Sequence, residues 1–173
     1  MSTNKLNVEI KAKCSQPEKL KRILQDLNAD FKGVDHQVDT YFNCPNGRLK
    51  LRKGNIENSL IFYQRSNQAG PKTSKVVLEV LSQDNQIRDV LAASHGILVE
   101  VDKMREIIFI ENVKFHIDEV QGLGLFMEIE AIDSNGTIKL EKLQEQCQYY
   151  MQKLEIQSED LIEISYSDLL LKK

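Results

Sequence analysis

The sequence predicts an α+β fold in which eight mostly antiparallel strands carry apolar residues on one face and charged residues on the other. Three observations support this prediction: strand-like segments alternate apolar and polar residues, short polar turns join most of them, and four helical patterns interrupt or follow them. Successive strand residues point to opposite faces of a sheet, so the alternation separates the two kinds of side chain. Short connections favour antiparallel pairing.

The first strand shows the alternation most clearly. Between Lys5 and Cys14, Val8 and Ile10 face one side, whereas Glu9 and Lys11 face the other. Residues 48–53 repeat the pattern with bases, and residues 125–133 repeat it with acids. The other strands are predicted over residues 36–43, 60–65, 75–80, 99–110 and 113–120, and the last three strands of the chain read as a meander.

Four segments have the periodicity of a helix. The first begins with Ser15 as N-cap and Glu18 three residues later, which is the pattern of a capping box. The second covers about Asn85 to His95 and ends at Gly96. The third and fourth are predicted over residues 138–154 and 166–171. Because their apolar stripes need an apolar surface, these helices are expected on the apolar side of the strands.

The residues alone leave two architectures open. One is an open sheet with helices on a single face, in which the charges are solvated and the protein is an interaction domain. The other is a closed or nearly closed barrel with helices outside and the charges inside, and an eight-stranded barrel has room for one small ligand.

Composition narrows the class of protein. A chain of 173 residues suits a single domain spanning residues 1–173. A net charge of −3 argues against bulk nucleic-acid binding. No apolar run approaches the roughly 18–20 residues of a membrane span, and no signal-peptide core is present. Three widely spaced cysteines are interpreted as free thiols, so a cytoplasmic location is expected.

Strand alternation also groups the candidate functional residues. The bases are Lys11, Lys13, Arg48, Lys50, Arg52, Arg65, Lys103 and Arg105, and the acids are Glu9, Asp118, Glu128 and Glu130. Any single one is typical of a solvated surface, but strand after strand repeats the charge. Bases on rigid strands suit phosphate oxygens, and carboxylates among them suit Mg²⁺ or Mn²⁺. Together they predict a site for a polyphosphate with metal.

Several segments, taken in order, resemble the CYTH superfamily, also called triphosphate tunnel metalloenzymes, and among them the class IV adenylyl cyclases. They are Asn7–Lys13, Asp39–Phe42, Gly47–Arg52, Ile117–Val120, Gly122–Gly124, Phe126–Glu130 and Ser165–Leu170. The family signature on the first strand is Glu-x-Glu-x-Lys. Glu9 and Lys11 match its second and third places, but Asn7 replaces the first glutamate, and an amide oxygen brings no negative charge.

The resemblance implies an eight-stranded antiparallel barrel or tunnel with a charged interior and helices packed outside. It implies that the listed bases bind a triphosphate such as ATP or tripolyphosphate, and that the listed acids hold Mg²⁺ or Mn²⁺. The implied reaction converts ATP to cyclic AMP and pyrophosphate. The alternatives are hydrolysis of an organic or inorganic triphosphate, or binding of a polyphosphate or nucleotide without turnover. A small-molecule partner is expected, not nucleic acid or a membrane, and a homodimer is compatible with this interpretation.

Overall fold

The computed structural model describes the backbone of residues 2–173 and the side chains of residues 5–173. Within that span, eight strands close into an antiparallel barrel in the order β1-β5-β4-β3-β2-β6-β7-β8. The strands are β1 (Ser2–Lys13), β2 (Asp30–Phe42), β3 (Arg48–Gly54), β4 (Ser59–Arg65), β5 (Lys72–Val80), β6 (Ile97–Ile110), β7 (Val113–Val120) and β8 (Gly124–Asp133). The closed architecture and the α+β class are therefore confirmed over the open sheet.

Four helices lie outside the barrel: α1 (Pro17–Asp26), α2 (Ile87–His95), α3 (Leu140–Lys153) and α4 (Tyr166–Leu171). The outward faces of β1, β7 and β8 pack against α1 and α3, with Ile10, Phe115 and Ile129 almost fully buried beside Leu24 and Leu143. The main apolar core thus lies between barrel and helices, which leaves the barrel interior to the charged residues. No helix in the described part of the chain is long and apolar enough to span a membrane.

The start of α1 differs from the prediction. The helix begins at Pro17, with Gln16 as N-cap and no side-chain capping bond, so the capping box at Ser15 is wrong. The first turn is closed by the Gln16 carbonyl, which accepts from the amides of Lys19 and Leu20. A capping box does occur in α4, where the Ser165 hydroxyl accepts from the amide of Asp168.

The second strand begins earlier than predicted. It starts at Asp30, and its first residues are mostly exposed on both faces as they pair with β6. A register shift between Phe31 and Gly33 interrupts the ladder there. Because neither face of this stretch is buried, the residues do not alternate and the sequence pattern did not reveal it. The three cysteines are unpaired, as predicted.

Candidate functional site

The barrel encloses a cavity of about 350 Å³ lined mainly by the inward-facing charged residues. One end of it is closed by the chain around Ser165 and Tyr166, whose side chains are buried. At this end the Ile162 amide donates to the Lys11 carbonyl at 2.8 Å, which docks the C-terminal segment against β1. At the other end the lining residues Ile56 and Val80 are 44 % and 74 % exposed, so this end is the mouth.

Three cations share one carboxylate in the cavity wall. Asp39 of β2 accepts hydrogen bonds from Lys50, Arg52 and Lys103, each at 2.9 Å, and the Arg52 guanidinium makes two of them. Burial alone would raise the pKa of Asp39, but these three cations hold it well below its ordinary value. Arg52 has one further partner, Glu57, at 3.0 Å. Two carboxylates cannot neutralise three cations, so this part of the wall carries excess positive charge.

Burial and the neighbouring cations together lower the pKa of Lys103. Its side chain is almost fully buried, and burial lowers its pKa to about 7, with Arg105, Arg52 and Lys50 adding to the fall and Asp39 opposing it. Lys72, at the closed end, donates to the carbonyls of Ile162 at 3.0 Å and Glu163 at 2.8 Å. Burial lowers the pKa of Lys72 to about 8.

Arg105 is held by a second buried carboxylate. Asp118 accepts from the Arg105 Nε at 2.7 Å and from its Nη2 at 2.6 Å, and the Tyr166 hydroxyl donates to the same carboxylate at 2.8 Å. Asp118 is completely buried and does not line the cavity. Both of its oxygens already accept hydrogen bonds, so its geometry suits the orientation of Arg105 and not the metal ligation predicted for it.

Three further acids lie together across the β1–β8 ladder, where Glu9 pairs in register with Glu130 and Lys11 with Glu128. Glu9 accepts from Arg65, and Glu128 lies 3.2 Å from the Lys11 ammonium. Burial raises the pKa of Glu130, and the nearby charges of Glu9 and Glu128 raise it further against the attraction of Lys114. Glu130 is thus a carboxylate whose charge is poorly compensated.

Asn7 and His116 present buried acceptors beside these acids. Asn7 donates its amide N–H to Glu130, which leaves Asn7 Oδ1 without a hydrogen-bond partner among the described residues. His116 contacts Glu128 through Nδ1 at 3.1 Å, and its Nε2 is likewise unpartnered within residues 5–173. Burial, reinforced by Arg105, lowers the pKa of His116 to about 4, so its imidazole is neutral near pH 7.

A divalent cation needs hard oxygen donors, and this group of side chains offers them. In the described part of the chain, no three His, Cys, Asp or Glu side chains surround one point closely enough to hold a metal ion by themselves. Mg²⁺, however, is usually bound by one or two carboxylates together with phosphate oxygens of a substrate. Glu9, Glu128, Glu130 and the free Asn7 oxygen therefore fit a cation that binds together with a phosphate.

Most of the predicted site residues meet in this cavity. The lining includes Glu9, Lys11, Lys50, Arg52, Arg65, Lys103, Arg105, Glu128 and Glu130. Lys13 does not join them: its side chain is exposed, because β1 passes the closed end of the barrel at Lys11. Arg48 also lies outside the lining and donates to Asp168 of α4 at 2.7 Å. The structure therefore places Lys13 and Arg48 apart from the bases that line the cavity.

Several functional candidates were missed at the sequence level. Lys114 lies on the same face of β7 as Asp118, so alternation could have placed it inside the barrel. Asp39 faces inward on β2 by the same rule. Glu57 and Lys72 had no such signal, because each lies outside the strands that the sequence predicts.

Comparison with known proteins finds a matching family and several relatives of this chain. The sequence pattern of the CYTH domain matches residues 5–166. A Methanocaldococcus jannaschii protein named "putative adenylate cyclase" is 29% identical over 178 residues, which covers 95% of this chain and 98% of that protein. A solved structure from Pyrococcus horikoshii is 25% identical with a TM-score of 0.73, over 94% of this chain and 98% of that one. A Hippeastrum structure, described as a "putative adenylyl cyclase" with dominant triphosphatase activity, is 15% identical with a TM-score of 0.59 over 95% of this chain and 94% of that one.

Proposed function

Because the chain belongs to the CYTH domain family, we propose that it is a metal-dependent enzyme that acts on a triphosphate bound inside the barrel. The observation that carries this proposal is the sharing of Asp39 by Lys50, Arg52 and Lys103. Buried cations in excess of their counter-ions are costly unless an anion joins them. A triphosphate supplies several negative charges in a row, which matches a wall that offers bases on several strands.

The bases have distinct tasks in this proposal. Lys50, Arg52 and Lys103 bind phosphate oxygens directly. Arg105, oriented by Asp118, contributes a planar guanidinium that can bind two oxygens at once. Preorganised donors of this kind stabilise the charge that develops during phosphoryl or nucleotidyl transfer, since they do not have to reorganise at the moment of reaction.

The acids would hold the metal. Glu9, Glu128 and Glu130 are the proposed ligands, with the Asn7 oxygen beside them. When bound, Mg²⁺ or Mn²⁺ supplies a Lewis acid that draws negative charge from the phosphate oxygens. Asn7 contributes no charge where the family signature has a glutamate. We therefore expect weaker metal binding than in a family member that has a glutamate at this position.

We assign the reaction as class IV adenylyl cyclase-like. In it the ribose 3′-oxygen of ATP attacks the α-phosphorus, the bond from that phosphorus to the bridging oxygen breaks, and pyrophosphate leaves. The name of the Methanocaldococcus relative supports this assignment. The description of the Hippeastrum protein favours the alternative, in which water attacks a terminal phosphorus of a triphosphate and the bond from that phosphorus to the bridging oxygen breaks. The diphosphate part leaves, and the attacked phosphorus becomes orthophosphate.

One assay separates these reactions. The protein is incubated with ATP or with tripolyphosphate, with Mg²⁺ or Mn²⁺, and cyclic AMP, pyrophosphate and orthophosphate are followed. Cyclic AMP with equimolar pyrophosphate supports the cyclase, and orthophosphate without cyclic AMP supports the triphosphatase. Tight binding by calorimetry with no product supports a binding module, and no binding and no product from either compound contradicts the proposal.

Triphosphate affinity should fall as the pH rises above about 7, because of Lys103. Burial lowers the pKa of Lys103 to about 7 from an ordinary value of 10.5, and a bound phosphate will draw the proton back. Below pH 7 the ammonium is already charged, so the contribution of Lys103 is constant. Above it, binding requires proton uptake, so the contribution of Lys103 falls by up to about tenfold per pH unit.

Calorimetric titration of tripolyphosphate at several pH values checks this expectation. The variant Lys103→Met should bind more weakly than wild type at pH 6 and approach it at pH 9. Stability should change in the opposite sense, because the unfolded chain holds the Lys103 proton between pH 7 and 10.5 and stability therefore rises through that window. Parallel pH profiles for the two proteins would exclude Lys103 as the titrating group.

A further inference from the structure

One loop brings an acidic side chain into the mouth of the cavity. Residues 55–58 connect β3 to β4, and Glu57 points from this loop into the cavity lining. Its carboxylate accepts from the Arg52 Nη1 at 3.0 Å, from the Lys114 ammonium and from the Gln37 amide at 3.1 Å. Glu57 therefore joins β3 to β7 across the mouth.

The loop holds Glu57 in a fixed place. The carboxylate of Asp35, which is completely buried, accepts from the backbone amides of Ile56 and Glu57, each at 2.9 Å. Gly54 lies against the same carboxylate: a Cβ there would be 2.6 Å from Asp35 Oδ1, so only glycine fits. A buried anchor and an obligatory glycine indicate a built position, not a freely moving surface side chain.

The chemistry of the lining changes at this level of the barrel. Deeper than Glu57, the inward positions are mostly charged, including the bases that share Asp39. The lining also includes Lys5 and the apolar side chains Ile56, Leu78, Val80 and Ile132, of which Ile56 and Val80 are exposed at the mouth. Glu57, in the loop that carries Ile56, thus lies between the bases that share Asp39 and a mouth whose lining is largely apolar apart from Lys5.

We propose that Glu57 terminates the phosphate-binding row and limits the linear phosphate chain that the tunnel accepts to three units. The inference rests on the proposed function, since it assumes that the phosphates occupy the charged, closed end of the cavity. A fourth phosphate would reach the level of Glu57, whose carboxylate already occupies the Arg52 Nη1 group and the Lys114 ammonium. An uncharged group at the end of a triphosphate meets no such repulsion and finds an apolar surface.

The pairing of Glu57 explains why discrimination is expected even though bases lie nearby. Arg52 and the Glu57 carboxylate are held close together. Burial alone would raise the pKa of Glu57, but Arg52 and Lys114 hold it well below its ordinary range, so the carboxylate stays charged. A fourth phosphate must displace this internal anion before it can use Lys114 or the Nη1 group of Arg52, and like charges placed side by side discriminate strongly.

The test compares linear tripolyphosphate with linear tetrapolyphosphate by calorimetry, under one pH and salt concentration. Wild type should bind tripolyphosphate about tenfold more tightly, although tetrapolyphosphate carries the larger charge. Glu57→Gln keeps the size of the side chain and removes its charge, so the preference should disappear or reverse. Glu119→Gln, an exposed acid on β7, is the matched control and should keep the preference of wild type.

A second variant keeps the test conclusive if Glu57→Gln does not fold. Lys114→Gln removes the partner of Glu57 and leaves its charge less compensated, so the preference for tripolyphosphate should increase. Melting curves verify that each variant is folded. If wild type binds the tetrapolyphosphate at least as tightly, or if the ratio is the same in wild type and both variants, the inference is overturned and the proposed function stands. If neither compound binds wild type, both fail.

Discussion

Glu130→Gln is expected to lower metal-dependent turnover of the triphosphate by about 10²–10³-fold while the protein stays at least as stable as wild type. The carboxylate of Glu130 lies beside Glu9 and Glu128, and its pKa is raised by burial and by those two charges. Such a charge is useful only when a cation neutralises it. Glutamine keeps an oxygen that can accept from Asn7 but removes the charge that would hold the metal.

The stability half of this prediction follows from the sign of the shift. For an acid whose pKa is raised by folding, the ionised form costs stability at neutral pH, and the cost disappears as the pH falls through the raised value. Removing the charge at pH 7 should therefore not lower the free energy of unfolding. Glu119→Gln again serves as the control, because its exposed carboxylate lies outside the cavity.

Turnover and urea unfolding of the same preparations check both halves. Calorimetry with Mn²⁺ and tripolyphosphate adds a measurement that does not depend on activity, and the variant should show weaker metal binding. Full turnover in Glu130→Gln would remove it from the metal site. A large loss of stability would show instead that Glu130 is mainly a structural residue.

Asp39→Ala is expected to destabilise the free protein by about 3–5 kcal/mol. The substitution leaves the ammonium groups of Lys50 and Lys103 and the guanidinium of Arg52 without the carboxylate that now binds all three. Removing one partner of a buried ion pair is costly because the remaining charge is uncompensated. Here three charges are affected by one change.

Tripolyphosphate should restore a large part of this loss, because its oxygens can take the place of the missing carboxylate. A ligand that binds only the folded state stabilises it by about 2.7 kcal/mol at a concentration of 100 times its Kd. Asp102→Ala is the matched control: this aspartate pairs with His36 on the exposed surface, and its loss should cost less than about 1 kcal/mol.

Urea unfolding without tripolyphosphate gives the loss of stability in each variant. The same measurement with tripolyphosphate gives the part of that loss that the ligand restores. Equal destabilisation of the two variants would show that Asp39 does not hold excess positive charge. A loss in Asp39→Ala that tripolyphosphate leaves unchanged would mean that the anion binds elsewhere.

The alternation of charged and apolar residues predicted most of the residues that face the cavity within regular strands. Glu9, Lys50, Arg105 and Glu130 are all found inside for that reason, since successive residues of a strand point to opposite sides. The rule fails where the strand leaves the barrel wall. Lys13 obeys the alternation, yet it lies beyond the docked C-terminal segment and is exposed.

Residues outside regular strands carried no periodic signal. Glu57 enters the cavity because Asp35 binds the amides of a loop, and this contact joins residues that are distant in the sequence. Closure of the barrel also depends on contacts between residues that are distant in the sequence. It depends on β1 pairing with both β5 and β8, and alternation within a strand is the same in an open sheet and in a closed barrel.

The most direct measurement is the melting temperature of the wild-type protein with increasing tripolyphosphate, in the presence and absence of Mn²⁺. Excess positive charge in an enclosed cavity predicts a rise that continues with concentration and becomes larger when the cation is present, because the acids beside Asn7 then gain a partner. A melting temperature that tripolyphosphate does not change, with or without Mn²⁺, would contradict the central claim that the barrel interior binds a triphosphate.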